Sequence, residues 1–156
     1  MDTVEVSPPE ETDATESPEA GVDTVDVSEG EETPEDAAGK LTLAVSHMQD
    51  GRHGVARVLL EKALMEHPDD PLLPELRYRL AETWFNQGSW DRALTSFQTV
   101  VDSFGDSDWA ARAMLRQGEC FARKDQQDNA ELFYEEVIRL YPRSEAAEEA
   151  RAYLEG

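Results

Sequence analysis

A frame of residues recurs every 37 positions along this chain. Ala56, Ala93 and Ala130 hold one column, Leu60, Phe97 and Tyr134 a second, and Ala44, Ala81 and Gly118 a third. Pro68, Gly105 and Pro142 make a fourth, and Gly51 and Gly88 a fifth with Asp125 in its third place. A fixed period in the range of roughly 20–50 residues is the mark of stacked supersecondary units, each unable to bury its apolar face alone. It predicts an extended scaffold that binds along its surface, and it argues against an enzyme built around one deep site.

Each unit reads as helix, tight turn, helix. In the middle one, Leu76, Leu80, Trp84 and Phe85 fall near 3.6-residue spacing, Asn86-Gln87-Gly88-Ser89 breaks the pattern, and Trp90, Ala93, Leu94, Phe97, Val100 and Val101 form a second stripe. The units before and after repeat this plan, with turns at Asp50-Gly51-Arg52 and Lys124-Asp125-Gln126. Gly51 and Gly88 stand where a helix end wants a left-handed residue, and Asp125 is a residue that also visits that conformation. Pro68 and Pro142 should stop the second helices, because proline disfavours helix at the residue before it. Ser144 is a good N-cap for a last helix over 144–154, whose Glu145, Glu148, Glu149 and Glu155 suit a solvated terminal cap. The small columns should let paired helices approach closely. Phe97 and Tyr134 should fill the space between units, and Trp90 should lie in the hairpin contact.

The order small, aromatic, Gly, aromatic, Ala, aromatic, Pro resembles the tetratricopeptide repeat family. Ala81, Trp84, Gly88, Trp90, Ala93, Phe97 and Gly105 carry it in the middle unit, and Gly118, Phe121, Ala130, Tyr134 and Pro142 in the third. In the first unit His47 and His53 take the two early aromatic places and are expected to pack in the core. The resemblance covers about residues 40–143. It implies an all-α, right-handed superhelix of three helical hairpins (40–70, 74–107 and 108–143) plus the cap helix, with the first helices lining a concave peptide-binding groove. Tyr141-Pro142-Arg143-Ser144-Glu145-Ala146-Ala147 is similar to a motif of bacterial cell-envelope members of the family, of the Tol-Pal-associated division coordinator or outer-membrane assembly lipoprotein type.

Residues 1–39 are a different material. They hold 14 Asp or Glu, no Lys or Arg and no aromatic residue, and Pro8, Pro9, Pro18 and Pro34 interrupt them. Such a segment cannot offset its ordering entropy and is expected to be a disordered acidic tail, with a coil reach of about 35 Å. The tail supplies −14 of the net charge of −21, and residues 40–156 the remaining −7. With no run of Lys or Arg, neither nucleic acid nor an anionic membrane is an expected partner. No apolar run is long enough for a spanning helix, so membrane insertion is not expected. Met1-Asp2-Thr3-Val4-Glu5 lacks the basic and apolar regions of an export signal, so the chain as it stands reads as cytoplasmic; with a signal ahead of it, it would belong in the periplasm or cell envelope.

The single Cys120, three His and scattered carboxylates match no metal, nucleophile or phosphate-loop motif, so no cofactor, no metal and no catalysis are expected. Function should then lie in the groove. The repeat frame turns Leu41, Val45, Met48 and Gln49 inward from the first unit, Glu75, Tyr78, Glu82, Phe85 and Asn86 from the second, and Arg112, Leu115, Glu119, Ala122 and Arg123 from the third. Apolar anchors mixed with an amide and charges of both signs suit a protein or peptide segment. The expected function is therefore a protein-interaction adaptor. The alternative is a structural subunit that stacks its repeats on another chain and leaves the groove empty.

Overall fold

The computed structural model describes residues 32–156. Within them the chain forms seven helices and no strand: α1 (Ala37–Gln49), α2 (His53–Glu66), α3 (Leu73–Asn86), α4 (Trp90–Ser103), α5 (Asp108–Arg123), α6 (Gln127–Leu140) and α7 (Glu145–Glu155). The expectation of a disordered tail falls mainly on residues 1–31, which lie outside the described residues. The boundary expected after residue 39 is corrected. Helix α1 starts at Ala37, because the Asp36 side chain accepts a hydrogen bond from the Gly39 N–H at 3.1 Å and caps the first turn.

The three hairpin turns are built alike. Gly51, Gly88 and Asp125 all have positive φ, at 79°, 78° and 61°. At each turn the next N–H reaches back to a carbonyl in the last helical turn: Arg52 to His47 at 2.8 Å, Ser89 to Trp84 at 3.0 Å, Gln126 to Phe121 at 2.9 Å. These bonds satisfy carbonyls that the helix end would otherwise leave open. A Cβ at Gly88 meets only the Trp90 ring at 3.8 Å, so replacement is opposed by backbone conformation alone. Gly88→Ala should therefore cost about 1 kcal/mol, and lower the melting temperature by roughly 3–6 °C. An unchanged melting temperature would show that the left-handed residue is not needed there.

The second helices end as their sequence demands. His67 and Tyr141, each before a proline, leave the helical region, with φ near −129° at both. Ser107 and Ser144 cap α5 and α7 by accepting from Ala110 N–H at 3.2 Å and Ala147 N–H at 3.0 Å. Tyr141 ties consecutive units by donating its hydroxyl to the Gly105 carbonyl at 2.8 Å.

Packing is serial. One apolar cluster joins α1, α2 and the start of α3, a second joins α3, α4 and α5, and a third joins α5, α6 and α7. Ala44, Ala56, Ala81, Ala93 and Ala130 are fully buried, as the close approach of paired helices requires. Besides pairing with their sequence neighbours, α1 meets α3, α3 meets α5 and α5 meets α7, while the even-numbered helices hardly touch one another. The odd helices therefore form the inner, concave layer and the even helices the outer one.

One aromatic residue departs from expectation, and one charged residue is buried. Trp90 is only half-buried, with its ring edge-on to Phe85 at 5.2 Å, so it borders the hairpin contact and does not fill it. Lys40 is 1% exposed. Its ammonium is satisfied by the Glu35 carbonyl at 2.7 Å and the Glu66 carboxylate at 2.9 Å, and His67 reaches the same carbonyl at 2.9 Å. This arrangement pins residues leading into α1 against the end of α2.

Candidate functional site

The concave layer sorts the inward-facing residues by column. At the 37-residue offset, Leu41, Tyr78 and Leu115 are all buried and form the floor. Met48 and Phe85 are buried in the next column, where Ala122 is half-exposed. Two further columns stand at the rims: Gln49, Asn86 and Arg123 at the hairpin-turn edge, and Arg112 and Glu149 with half-buried Glu75 at the opposite edge. Val45, Glu82 and Glu119 lie between floor and rim.

The first unit contributes little to the concavity beyond Gln49. Val45 and Met48 pack into the cluster of the first hairpin, as does Leu41. The structure brings the other expected residues together on α3 and α5. Tyr78, Arg112, Leu115 and Glu119 line one cleft of ≈ 110 Å³, together with Arg116, Glu145, Ala146 and Glu149. Tyr78 and Phe85 are 4% and 7% exposed, so they act as supports of the groove as much as surfaces of it. Tyr78 packs against Phe97 at 5.5 Å and Trp109 at 5.1 Å. Asn86 and Arg123 are exposed, and the Arg123 guanidinium lies over Phe85 at 5.9 Å and Trp90 at 5.6 Å.

A chain of ion pairs crosses the groove floor from one unit to the next. Arg79 donates to Glu75 at 3.4 Å and to Glu82 at 2.9 Å. Arg116 donates to Glu82 at 3.4 Å, to Glu119 at 3.1 Å and to the Tyr78 hydroxyl at 3.2 Å. Glu82, 8% exposed, thus sits between two guanidiniums. Burial opposes the Arg116 charge, yet Tyr78, Glu119 and Glu82 hold its pKa above the ordinary value. Burial raises the Glu119 carboxyl, and Arg116 only partly offsets this. Burial likewise raises Tyr78, helped by the Glu82 charge. Such a network aligns two units in one register, because breaking it would leave a nearly buried carboxylate short of donors.

Sequence reasoning missed Arg79, Arg116, Trp109, Glu145, Glu149 and Tyr153. A signal was present: Arg79 and Arg116 share the 37-residue offset with Tyr153, and Arg112 shares it with Glu149. Cys120 is buried, and burial pushes its thiol up to about 12, so it packs and does not react. No group of His, Cys, Asp and Glu that could hold a metal exists among the described residues. No helix among them is long and apolar enough to cross a membrane.

Comparison with known proteins bears on this geometry. Two tetratricopeptide repeat family models match, one over residues 47–117 and one over residues 112–144. The mouse (Mus musculus) protein O-mannosyl-transferase TMTC1 is 28% identical over 114 residues, which are 72% of this chain but 12% of that protein. Of solved structures, the N-terminal domain of stress-induced protein-1 from C. elegans superposes with a TM-score of 0.61 at 15% identity, covering 74% of this chain and 92% of that one. The second tetratricopeptide domain of human RPAP3, solved with an HSP70 peptide, gives 0.59 at 14% identity, covering 77% and 95%. These matches do not carry the finer resemblance to bacterial cell-envelope members. Matched units, their left-handed turns and the layered hairpins together place the fold as a right-handed α-α superhelix, and the chain carries tetratricopeptide repeats over residues 47–144.

Proposed function

We propose that this chain is a non-catalytic adaptor that holds a protein or peptide segment in its concave groove. The observation that carries this reading is the division of labour on α3 and α5. Apolar floor residues complete the packing, while Arg112 and Glu119 line an open cleft and Asn86 and Arg123 stand exposed at the hairpin-turn rim. The peptide carried by the RPAP3 domain supports the same use of the fold.

The test uses the full chain and a partner captured with it. A photo-cross-linking residue at position 86 should trap the partner, whereas one at position 98, on the outer face of α4, should not. Arg123→Ala with Asn86→Ala should weaken binding about tenfold, with the helical signal unchanged because both side chains are exposed. The stacking alternative has one feature in its favour: Met65 and Leu132, on outer helices, are 76% and 61% exposed. Cross-links from position 132 and none from position 86 would move the interface to the outer face.

A further inference from the structure

The occupant of the groove can be narrowed by charge, on the basis of the adaptor reading above. Two guanidiniums of α3 and the middle of α5 are already engaged: Arg79 by Glu75 and Glu82, Arg116 by Glu82 and Glu119. An incoming carboxylate finds no open partner there. Toward α7 the balance tips the other way. The cleft between α5 and α7 is lined by Glu119, Glu145 and Glu149 against Arg112 and Arg116. Arg116 is committed, and Arg112 reaches Glu145 at 3.6 Å. Among the described residues no cation comes within ion-pair distance of Glu149, which is exposed.

The neighbouring groups register this excess. Burial raises the Glu119 carboxyl, and Glu149 adds to that rise against the pull of Arg116. Burial raises the Tyr153 hydroxyl too, followed by the charges of Glu119 and Glu149. Tyr153 stacks on Tyr134 at 4.9 Å with the rings 18° apart, which puts an aromatic wall beside these carboxylates. A cation placed here gains both ion pairing and contact with an aromatic ring. An acidic segment would instead meet the net charge of −7 on residues 40–156, and like charges brought together at an interface oppose binding. Arg123, at the far rim over Phe85 and Trp90, can be met by backbone carbonyls of a bound segment.

We infer that the groove takes a partner segment of net positive charge, and that it seats one Lys or Arg of that segment between α5 and α7, at Glu119 and Glu149.

The probes are two labelled peptides followed by fluorescence polarisation on the full chain. One is a peptide of Leu, Ala and Lys, and the other is its twin with Glu in every Lys place. The Lys peptide should bind and the Glu twin should not. Glu149→Lys should weaken the Lys peptide about tenfold. Glu131→Lys, an identical charge change on exposed α6, should weaken it less than about twofold. Equal losses from the two variants would mean that the peptide answers to the overall negative field or to residues 1–39, and the inference fails. If the Glu twin binds and Glu149→Lys strengthens it, the groove is a binding site of the opposite preference; the inference fails while the adaptor reading stands. Binding of neither peptide also overturns the inference, and leaves the adaptor reading to the cross-linking result at position 86.

Discussion

Phe97→Ala should destabilise the array by about 3–5 kcal/mol in urea denaturation, a large share of the roughly 5–15 kcal/mol that holds a domain of this size. Phe97 is 0% exposed at the centre of the middle cluster, with the Tyr78 ring at 5.5 Å and the Phe85 ring at 6.4 Å. Tyr78 belongs to the floor of the groove and Phe85 to the column beside it. The cavity left by truncation therefore opens directly beneath the proposed binding surface, so partner affinity should fall with stability. The middle cluster is also joined to the C-terminal one, since Val101 packs against both. Its loss should broaden the unfolding transition as the array stops behaving as one unit. Trp90→Ala serves as the comparison. That ring is half-buried and rests edge-on against Phe85, so its truncation should cost about half as much. A larger loss from Trp90→Ala than from Phe97→Ala would contradict the packing order described here.

The fold was legible because its determinants are local and repeated. A left-handed position in each turn, a proline after two of the second helices and a small residue in each helix contact recur at one offset, and each acts through the backbone or through a single neighbour. Asp125 shows how far this reaches: it was read as a left-handed residue from its column alone, and it has a φ of 61°. Burial of individual side chains was less legible. Trp90 occupies an aromatic column, yet its exposure depends on how α3 and α4 splay at the turn. In α1, the stripe Leu41, Val45 and Met48 is both the inward column and the packing face, so periodicity could not separate groove from core. The ion-pair chain through Arg79, Glu82, Arg116 and Glu119 depends on rotamers meeting across two units, which spacing alone does not specify. Lys40 was unreadable for a similar reason, since its partners, the Glu35 carbonyl and Glu66, come from opposite ends of the first hairpin.

Gly118→Ala should cost about 2 kcal/mol, although alanine favours a helix interior over glycine by about 1 kcal/mol. A Cβ at this position would stand 2.5, 2.8 and 3.2 Å from three atoms of the Tyr134 ring. The ring has little room to retreat: Tyr134 is 3% exposed, and Tyr153 stacks on it at 4.9 Å. The frame explains why glycine stands here. Its column runs Ala44, Ala81, Gly118 while the facing column runs Leu60, Phe97, Tyr134, so the smallest residue accompanies the longest ring. Replacing Tyr134 with the residue of the first unit should relieve the clash. In a double-mutant cycle, Gly118→Ala should then cost at least about 1 kcal/mol less in the Tyr134→Leu background than in the parent chain. Costs that simply add, within about 0.5 kcal/mol, would show that ring and glycine are not coupled. The small column would then have to owe its composition to the approach of the helix backbones alone.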